Sequence, residues 1–164
     1  EEKKMKTFTI EEKSQIETII NQCKVCYLGM IDNDQSPYVV PMNFGYKNNI
    51  FYLHSGPDGK KIQLLNKNKK VCLTFNSGEN LIYQHPNVAC SYSMVSKSVI
   101  CKGTIAFVEN YEEKVEALNI LMEHYTDKKF SYSAPAVNNV RILKLLPDEI
   151  TCKSFGNSIR NRNF

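Results

Sequence analysis

The sequence predicts a mainly β domain, an antiparallel β-barrel with flanking helices. Six to eight short segments have the alternating or continuous apolar pattern of strands, and tight-turn residues separate several of them. The three helical patterns are too few and too irregularly placed for the repeated strand-helix-strand units of a doubly wound fold. Because antiparallel strands of this number commonly remove their free edges by closing on themselves, we expect a barrel.

The first predicted element is a helix. Thr9 and Glu12 have the spacing of a capping box, in which each side chain bonds a free backbone N–H of the first turn. The apolar residues that follow recur on one helical face, namely Ile16, Ile19, Ile20 and Cys23. We expect this helix to end at residue 22 or 23.

Two hairpins come next. A strand over residues 25–31 leads through a turn at 32–34, whose Asp and Asn side chains can bond their own backbone, into a strand over 38–46. A tight turn at 47–49 then leads into a strand over 50–54. Two hairpins in succession predict an antiparallel meander.

The rest of the chain mixes helices and strands. A short helix is predicted over residues 60–67, a loop with a short strand over 81–92, and a further loop over 126–139. Asn110, with Glu113 three residues on, should cap a helix with the apolar stripe Val115, Leu118, Met122 and Tyr125. The remaining predicted strands are residues 71–76, 99–108 with a bulge or bend at Gly103, 141–146 and 149–154.

Composition limits the classes of protein that this chain can be. Its 164 residues suffice for one domain, predicted at 9–155 between a flexible N-terminus (1–8) and a polar tail (156–164). A net charge of +4 gives little support for nucleic-acid binding. No apolar run approaches the roughly 18 residues of a membrane span, and no secretory signal is visible. We therefore expect a cytoplasmic protein that binds neither nucleic acid nor membrane.

Six cysteines raise the question of disulfides or metal. Cys23 and Cys26 form a single C-x-x-C pair, whereas a structural zinc site usually needs a second pair or nearby histidines. Strand-like runs contain Cys72, Cys101 and Cys152, where a free thiol behaves as a small apolar group. We expect buried reduced thiols and no metal; a redox or metal role for Cys23 and Cys26 is the alternative.

The segment from His54 to Ile62 is the clearest candidate for a binding site. A strand ends, Gly56 and Gly59 loosen the backbone, and a helix begins with Lys60 and Lys61. A helix N-terminus offers free N–H groups and partial positive charge to an anion, and Ser55 can add a hydrogen bond. The spacing differs from that of a nucleoside-triphosphate P-loop. A phosphate site and an ordinary solvated helix start are equally compatible with this segment alone.

Pro41 interrupts an apolar strand and marks an edge or a bulge, because proline cannot donate to a strand ladder. Neighbouring backbone groups are then free to bond a flat heteroaromatic ring, with Met42 and Phe44 in apolar contact. An ordinary edge strand is the commoner explanation.

Taken together, these segments resemble the pyridoxamine-phosphate-oxidase-like FMN-binding proteins, and among them the nitroimidazole-resistance branch. The resemblance covers about residues 9–154, and the His-Ser followed by Gly-Lys-Lys is its most specific part. It rests on residues 27–30, 37–44, 52–55, 59–61, 98–100 with Gly103, and 149–151. Two departures are Lys97, where such proteins often have Arg, and Cys152, where they often have Gly.

The resemblance implies a split β-barrel, a homodimer, and FMN in a cleft at the dimer interface. It implies that Ser55, Gly59, Lys60 and Lys61 face the phosphate, while the ring is lined by Val40, Pro41, Met42 and Asn43 and by a second wall of Ser98 and Val99. His54 would lie beside the flavin as the candidate catalytic residue, or serve only to bond the cofactor or cap the strand.

The implied activity is that of an oxidoreductase acting on small nitroaromatic or other electrophilic compounds, with NADH or NADPH as electron donor. The sequence contains no evident catalytic acid or base besides His54, which agrees with a flavin enzyme whose cofactor performs the electron chemistry. The alternative is a non-catalytic flavin- or haem-binding module for storage, sensing or regulation.

Overall fold

The computed structural model describes residues 7–156. Its strands are β1 (Thr7–Thr9), β2 (Cys26–Ile31), β3 (Pro37–Met42), β4 (Gly45–Lys47), β5 (Ile50–Ser55), β6 (Lys70–Ile82), β7 (Ser93–Val108) and β8 (Arg141–Phe155). Its helices are α1 (Lys13–Gln22), α2 (Lys60–Lys67), α3 (Tyr111–Glu123) and α4 (Ala134–Asn139), with one 3-10 turn at Ala89–Ser91.

All eight strands form one sheet, in the order β3-β2-β6-β7-β8-β5-β4, and β1 pairs with β8. The strand pairs with a defined register are antiparallel: β1 with β8, β2 with β3 and β6, and β5 with β4 and β8. The predicted mainly β, antiparallel class is therefore confirmed. Within the described residues the strand order is an open path, which is compatible with a split barrel and differs from a fully closed one.

The chain divides into two compact units. Among the described residues, the first contains residues 7–23, 75–99 and 151–156, and the second contains residues 24–74 and 100–150. The predicted single domain over 9–155 spans both units. Of the predicted site residues, Ser98 and Val99 belong to the first unit, and all the others belong to the second.

The predicted capping box at the first helix is wrong. Thr9 lies in β1, opposite Lys153 of β8, and α1 begins at Lys13 with Glu12 as a cap whose side chain makes no capping bond. The end of the helix at Gln22 and the burial of Ile19 and Ile20 follow the prediction. Thr7 and Phe8 of the predicted flexible N-terminus form β1, while the rest of that segment and the tail beyond Gly156 lie outside the described residues.

The two hairpins form as predicted, with one change. The Asp32 carboxylate accepts the Asn33 N–H, and Asn48 and Asn49 take positive φ angles of 52° and 64° in the tight turn between β4 and β5. The predicted strand over 38–46 is instead divided into β3 and β4, because the Phe44 N–H donates to the Tyr125 hydroxyl (3.1 Å) and leaves the strand ladder.

The later strands are longer than predicted. β8 continues through Pro147, and β7 continues through Gly103 without a break. A Cβ at Gly103 would lie 2.6 Å from Leu145 Cδ1, so close packing explains this glycine. Part of the predicted loop over 126–139 is helix α4, whose first turn is capped by the Ser133 hydroxyl accepting the Ala136 N–H.

Helix α3 begins as predicted, with the Asn110 side chain accepting the Glu113 N–H. Its buried face differs from the predicted stripe and consists of Lys114, Ala117, Ile120 and Leu121. Ala117 and Leu121 pack with Val108 and Ile142 in a buried cluster, against which Tyr52 of β5 also packs. Helix α3 therefore covers the face of β5 on which Tyr52 lies.

Four cysteines of the described chain are buried, namely Cys23, Cys26, Cys101 and Cys152. Burial raises the pKa of the Cys101 thiol to about 12 and also raises that of Cys23, which disfavours reactive thiolates. Residues 7–156 contain no group of three or more His, Cys, Asp or Glu side chains able to hold a metal ion. No helix within this range is long and apolar enough to cross a membrane.

Candidate functional site

Three of the predicted site residues lie near one another where two strands end and α2 begins. Met42 is the last residue of β3, His54 is the second-last residue of β5, and Lys61 lies in the first turn of α2. The Lys61 Nζ atom lies 3.2 Å from the Met42 sulfur, and the positive charge of Lys61 lowers the pKa of His54. The structure thus joins the predicted phosphate segment to the predicted ring-lining strand.

No side chain caps the start of α2. Gly59 precedes the helix with φ 123°, a conformation that favours glycine, and it offers no side chain to cap the first turn. No acidic residue lies in that turn. Because the first N–H groups of a helix lack intrahelical acceptors, this end presents hydrogen-bond donors and partial positive charge.

The two lysines after Gly59 have different surroundings. Lys60 forms an ion pair with Asp32 and lies over the ring of Tyr38, with its ammonium 4.3 Å from the ring centroid. The hydrogen bond to Asp32 raises the pKa of Lys60. Lys60 thus has a carboxylate partner in this structure, and the prediction that both lysines face the same anion stays a prediction.

Lys61 has no comparable partner. Its side chain is half-buried, and burial lowers the pKa of its ammonium. Its ammonium donates to the Met42 thioether, which is a weak hydrogen-bond acceptor. No carboxylate of the described chain forms an ion pair with Lys61. A partly desolvated cation of this kind is stabilised by an anion.

The residues predicted to line the ring divide between the two faces of β3. Pro41 is exposed opposite Tyr27 of β2, whereas Val40 and Met42 alternate with it and lie on the other face. Tyr38, beneath Lys60, shares the face of Val40 and Met42. The strand ends the sheet path, so the predicted edge position of Pro41 is confirmed. The predicted ring-lining role of these residues stays a prediction.

His54 and Ser55 also lie on opposite faces, since they are consecutive residues of β5. His54 is opposite Ile142 on the face that α3 covers, and Ser55 is opposite Arg141. Burial, and secondarily Lys61, lower the pKa of His54. The side chain keeps exposed surface, so its desolvation is partial. Because its pKa is lowered from the ordinary value, the imidazole is neutral at pH 7.

Sequence patterns missed two residues that contact the site. Arg141, opposite Ser55, lies 5.0 Å over the Phe107 ring and donates to Glu109 (3.4 Å). Tyr125, predicted as part of a helical stripe, bonds both Asn43 and the Phe44 backbone through its hydroxyl. Both contacts join residues far apart in sequence, and no local motif reveals them.

Ser98 and Val99, the predicted second wall of the ring site, differ in their burial. Both residues lie in β7, where Val99 is fully buried and Ser98 is half-buried. The Val99 side chain belongs to the core, and its place beside a ring stays a prediction. A role for Ser98 stays a prediction.

A separate cavity of about 150 Å³ lies at the end of α3. It is lined by Asn119, Met122, Glu123, Lys128, Lys129 and Phe130, none of which is a predicted site residue. Ligand pockets for drug-sized molecules are typically about 300 Å³ or larger, so this cavity is too small for a tricyclic cofactor.

Comparison with solved structures supports the fold. A Bacteroides thetaiotaomicron protein, provisionally assigned as a 5-nitroimidazole antibiotic resistance protein, is 53% identical to this chain in sequence. The alignment covers 93% of this chain and 89% of that one, with a TM-score of 0.85. The Azotobacter vinelandii flavocytochrome Anf3 (18% identity, 88% and 68% covered, TM-score 0.76) shares the fold. So does an FAD- and haem-binding protein of Mycobacterium smegmatis (12% identity, 88% and 72% covered, TM-score 0.78).

No curated protein sequence matches the chain significantly. The family model described as pyridoxamine 5'-phosphate oxidase matches residues 12–154, most of the chain. Together with the Bacteroides structure, this match confirms the predicted resemblance, including its nitroimidazole-resistance branch. The chain belongs to the pyridoxamine 5'-phosphate oxidase family.

Proposed function

We propose that this protein binds FMN and works as an oxidoreductase that reduces small nitroaromatic or other electrophilic compounds. The observation that carries the proposal is Lys61, a half-buried ammonium beside an uncapped helix start, which donates to the Met42 thioether. This combination suits the terminal phosphate of FMN, which carries about −1.5 to −2 charges at neutral pH.

The phosphate contacts can be assigned more narrowly than the sequence allowed. Lys61 and the first N–H groups of α2 would hold the phosphate, with Ser55 as a further donor. Lys60 would act indirectly, since its bond to Asp32 ties the start of α2 to the β2–β3 turn. On the ring side, Val40, Met42 and Asn43 remain candidates.

Bound flavin would supply the electron transfer, and the protein would supply position and protons. His54 is the side chain best suited to hold a proton there, because its lowered pKa keeps the imidazole neutral and able both to donate and to accept. The substrate class follows from the Bacteroides relative at 53% identity. NADH or NADPH would provide the electrons in the cytoplasm.

The assembly proposed is a homodimer with the flavin at its interface. The outer face of β2 and β3 supports the homodimer itself, because exposed apolar side chains occupy consecutive cross-strand positions with no charged residue among them. These residues are Tyr27, Ile31, Pro37, Val39 and Pro41. A large uncharged surface of this kind is typical of the core of a protein interface.

The absorption spectrum of the purified protein tests the first part of the proposal. We expect the spectrum of bound flavin, and release of FMN on denaturation. Turnover with NADH or NADPH and a nitroimidazole then tests the second part. Bound flavin without turnover would leave the non-catalytic flavin module as the function, and a haem spectrum would contradict both parts.

A further inference from the structure

The Tyr125 hydroxyl has three hydrogen-bond partners, and its single proton fixes the direction of each bond. The hydroxyl lies 2.8 Å from the Lys24 carbonyl, 3.1 Å from the Phe44 nitrogen and 3.3 Å from the Asn43 amide nitrogen. A carbonyl can only accept, so Tyr125 donates its proton to Lys24. The hydroxyl oxygen must then accept from Phe44 and from Asn43.

This arrangement determines which way the Asn43 amide points. The same side chain also lies 3.4 Å from the Lys24 carbonyl. Both of its protein partners are therefore acceptors, and both require the NH₂ group of Asn43. The carbonyl Oδ1 is consequently directed away from them, on a side chain that is exposed to solvent.

The residues that follow Asn43 are closely packed. Phe44 is fully buried, and its ring centroid lies 4.4 Å from that of His124. A Cβ at Gly45 would lie 2.9 Å from the Ile120 backbone, so β4 and α3 are in close contact at this point. Met42, on the other side of Asn43, lies against Lys61. The oriented amide is thus held next to the proposed anion site.

We infer that Asn43 presents a hydrogen-bond acceptor, not a donor, to the flavin ring, and that Tyr125 is the positioning residue that keeps it so. The inference rests on the proposed FMN site. The oxidised isoalloxazine ring has one N–H, at N3, with a carbonyl on each side. An amide fixed with its oxygen outward selects this N–H, whereas an amide free to flip would also bond the ring carbonyls.

N3-methyl FMN separates this role from a general effect on binding, because methylation removes the N–H and leaves the phosphate unchanged. The wild-type protein should bind FMN at least about tenfold more tightly than N3-methyl FMN, because the Asn43 oxygen, covered by the bound ring, would lose its donor. Asn43→Ala, at an exposed position, should bind the two flavins equally. Tyr125→Phe, which keeps the ring, should lose most of the preference.

Tyr132→Phe is the matched control, since it removes a tyrosine hydroxyl that donates to Asn119 of α3. It should keep the wild-type preference for FMN, with thermal stabilities recorded for every variant. If the wild type binds FMN and N3-methyl FMN equally well, the inference is overturned and the proposed function stays intact. A preference kept in Asn43→Ala overturns it as well. A wild-type protein that binds neither flavin contradicts the proposed function itself.

Discussion

The ammonium of Lys61 lies 3.2 Å from the sulfur of Met42, which brings the start of α2 against the end of β3. Because burial lowers the pKa of Lys61, and a thioether compensates little for lost hydration, this contact leaves a cation that an anionic ligand would stabilise. The neighbouring Lys60 is already neutralised by Asp32. Two adjacent lysines thus have different surroundings.

Lys60→Ala and Asp32→Ala should weaken FMN binding by about fivefold at most, because an exposed ion pair contributes little. Both variants should behave alike, since each breaks the same link between α2 and the β2–β3 turn. Titration of each purified variant with FMN measures the effect. A loss with Lys60→Ala far larger than with Asp32→Ala would show that Lys60 contacts the phosphate directly.

The His54 imidazole should titrate below its ordinary pKa, and Lys61→Ala should raise that pKa without restoring it fully. Burial is the larger cause of the lowered pKa, and the charge of Lys61 is the smaller one. NMR titration of His54 in both proteins measures the change. An unchanged pKa in Lys61→Ala would contradict the proximity of the two side chains.

The same shift predicts how stability depends on pH. A lowered pKa means that the folded state binds fewer protons than the unfolded state between the folded pKa and about 6.5, so stability falls as pH decreases through this window. His54→Gln should lose less stability than the wild type on going from pH 7 to 5. Urea denaturation at both pH values provides the comparison, and equal losses would contradict it.

Gly103→Ala should destabilise the protein by about 1–3 kcal/mol, the usual range for overpacking. The new Cβ would lie 2.6 Å from Leu145 Cδ1 and 3.0 Å from the Leu146 carbonyl oxygen. Gly56→Ala is the matched control, because nothing lies within 4 Å of its Cβ position. Urea denaturation should separate the two variants, and equal stabilities would mean that β7 and β8 pack less closely at this point.

Lys114→Met should cost about 1–3 kcal/mol of stability, the penalty for buried acceptors that lose a charged donor. The buried Lys114 ammonium donates to the Val140 carbonyl at 2.9 Å and the Val137 carbonyl at 3.4 Å, at the C-terminal end of α4. Lys13→Met, at an exposed position on α1, is the control. Urea denaturation measures the free energy of unfolding of both variants. If Lys114→Met loses no more stability than Lys13→Met, a structural role for Lys114 is contradicted.

Local signals predicted much of the fold. The strand break at residues 56–59 placed the start of α2 at Lys60, and the Asn110 cap placed the start of α3. Errors arose where a distant residue decides the local structure. Thr9 pairs with Lys153 and so cannot cap α1, and Tyr125 divides the predicted strand over 38–46. Ser133 and Pro135, by contrast, were a local signal for α4 that the loop assignment overlooked.

The residues of the candidate site came from the sequence, and their arrangement needed the structure. Spacing and resemblance selected Met42, His54 and Lys61, which the structure brings together. Spacing could not show that Asp32 neutralises Lys60, because that partner lies on another turn. Strand periodicity could have shown that Pro41 and Met42 point to opposite faces of β3, once the limits of the strand were known.

The affinity ratio of FMN to riboflavin, in the wild type and in Lys61→Ala, tests the central claim most directly. Riboflavin lacks only the phosphate, and a hydrogen bond to a charged group contributes about 1.5–3 kcal/mol. The wild type should therefore bind FMN more than about tenfold more tightly than riboflavin, measured by fluorescence quenching. Lys61→Ala should remove most of this preference while riboflavin affinity stays the same. Equal affinities of the wild type for both flavins, or a full preference kept in Lys61→Ala, would contradict the assignment of Lys61 as the phosphate contact.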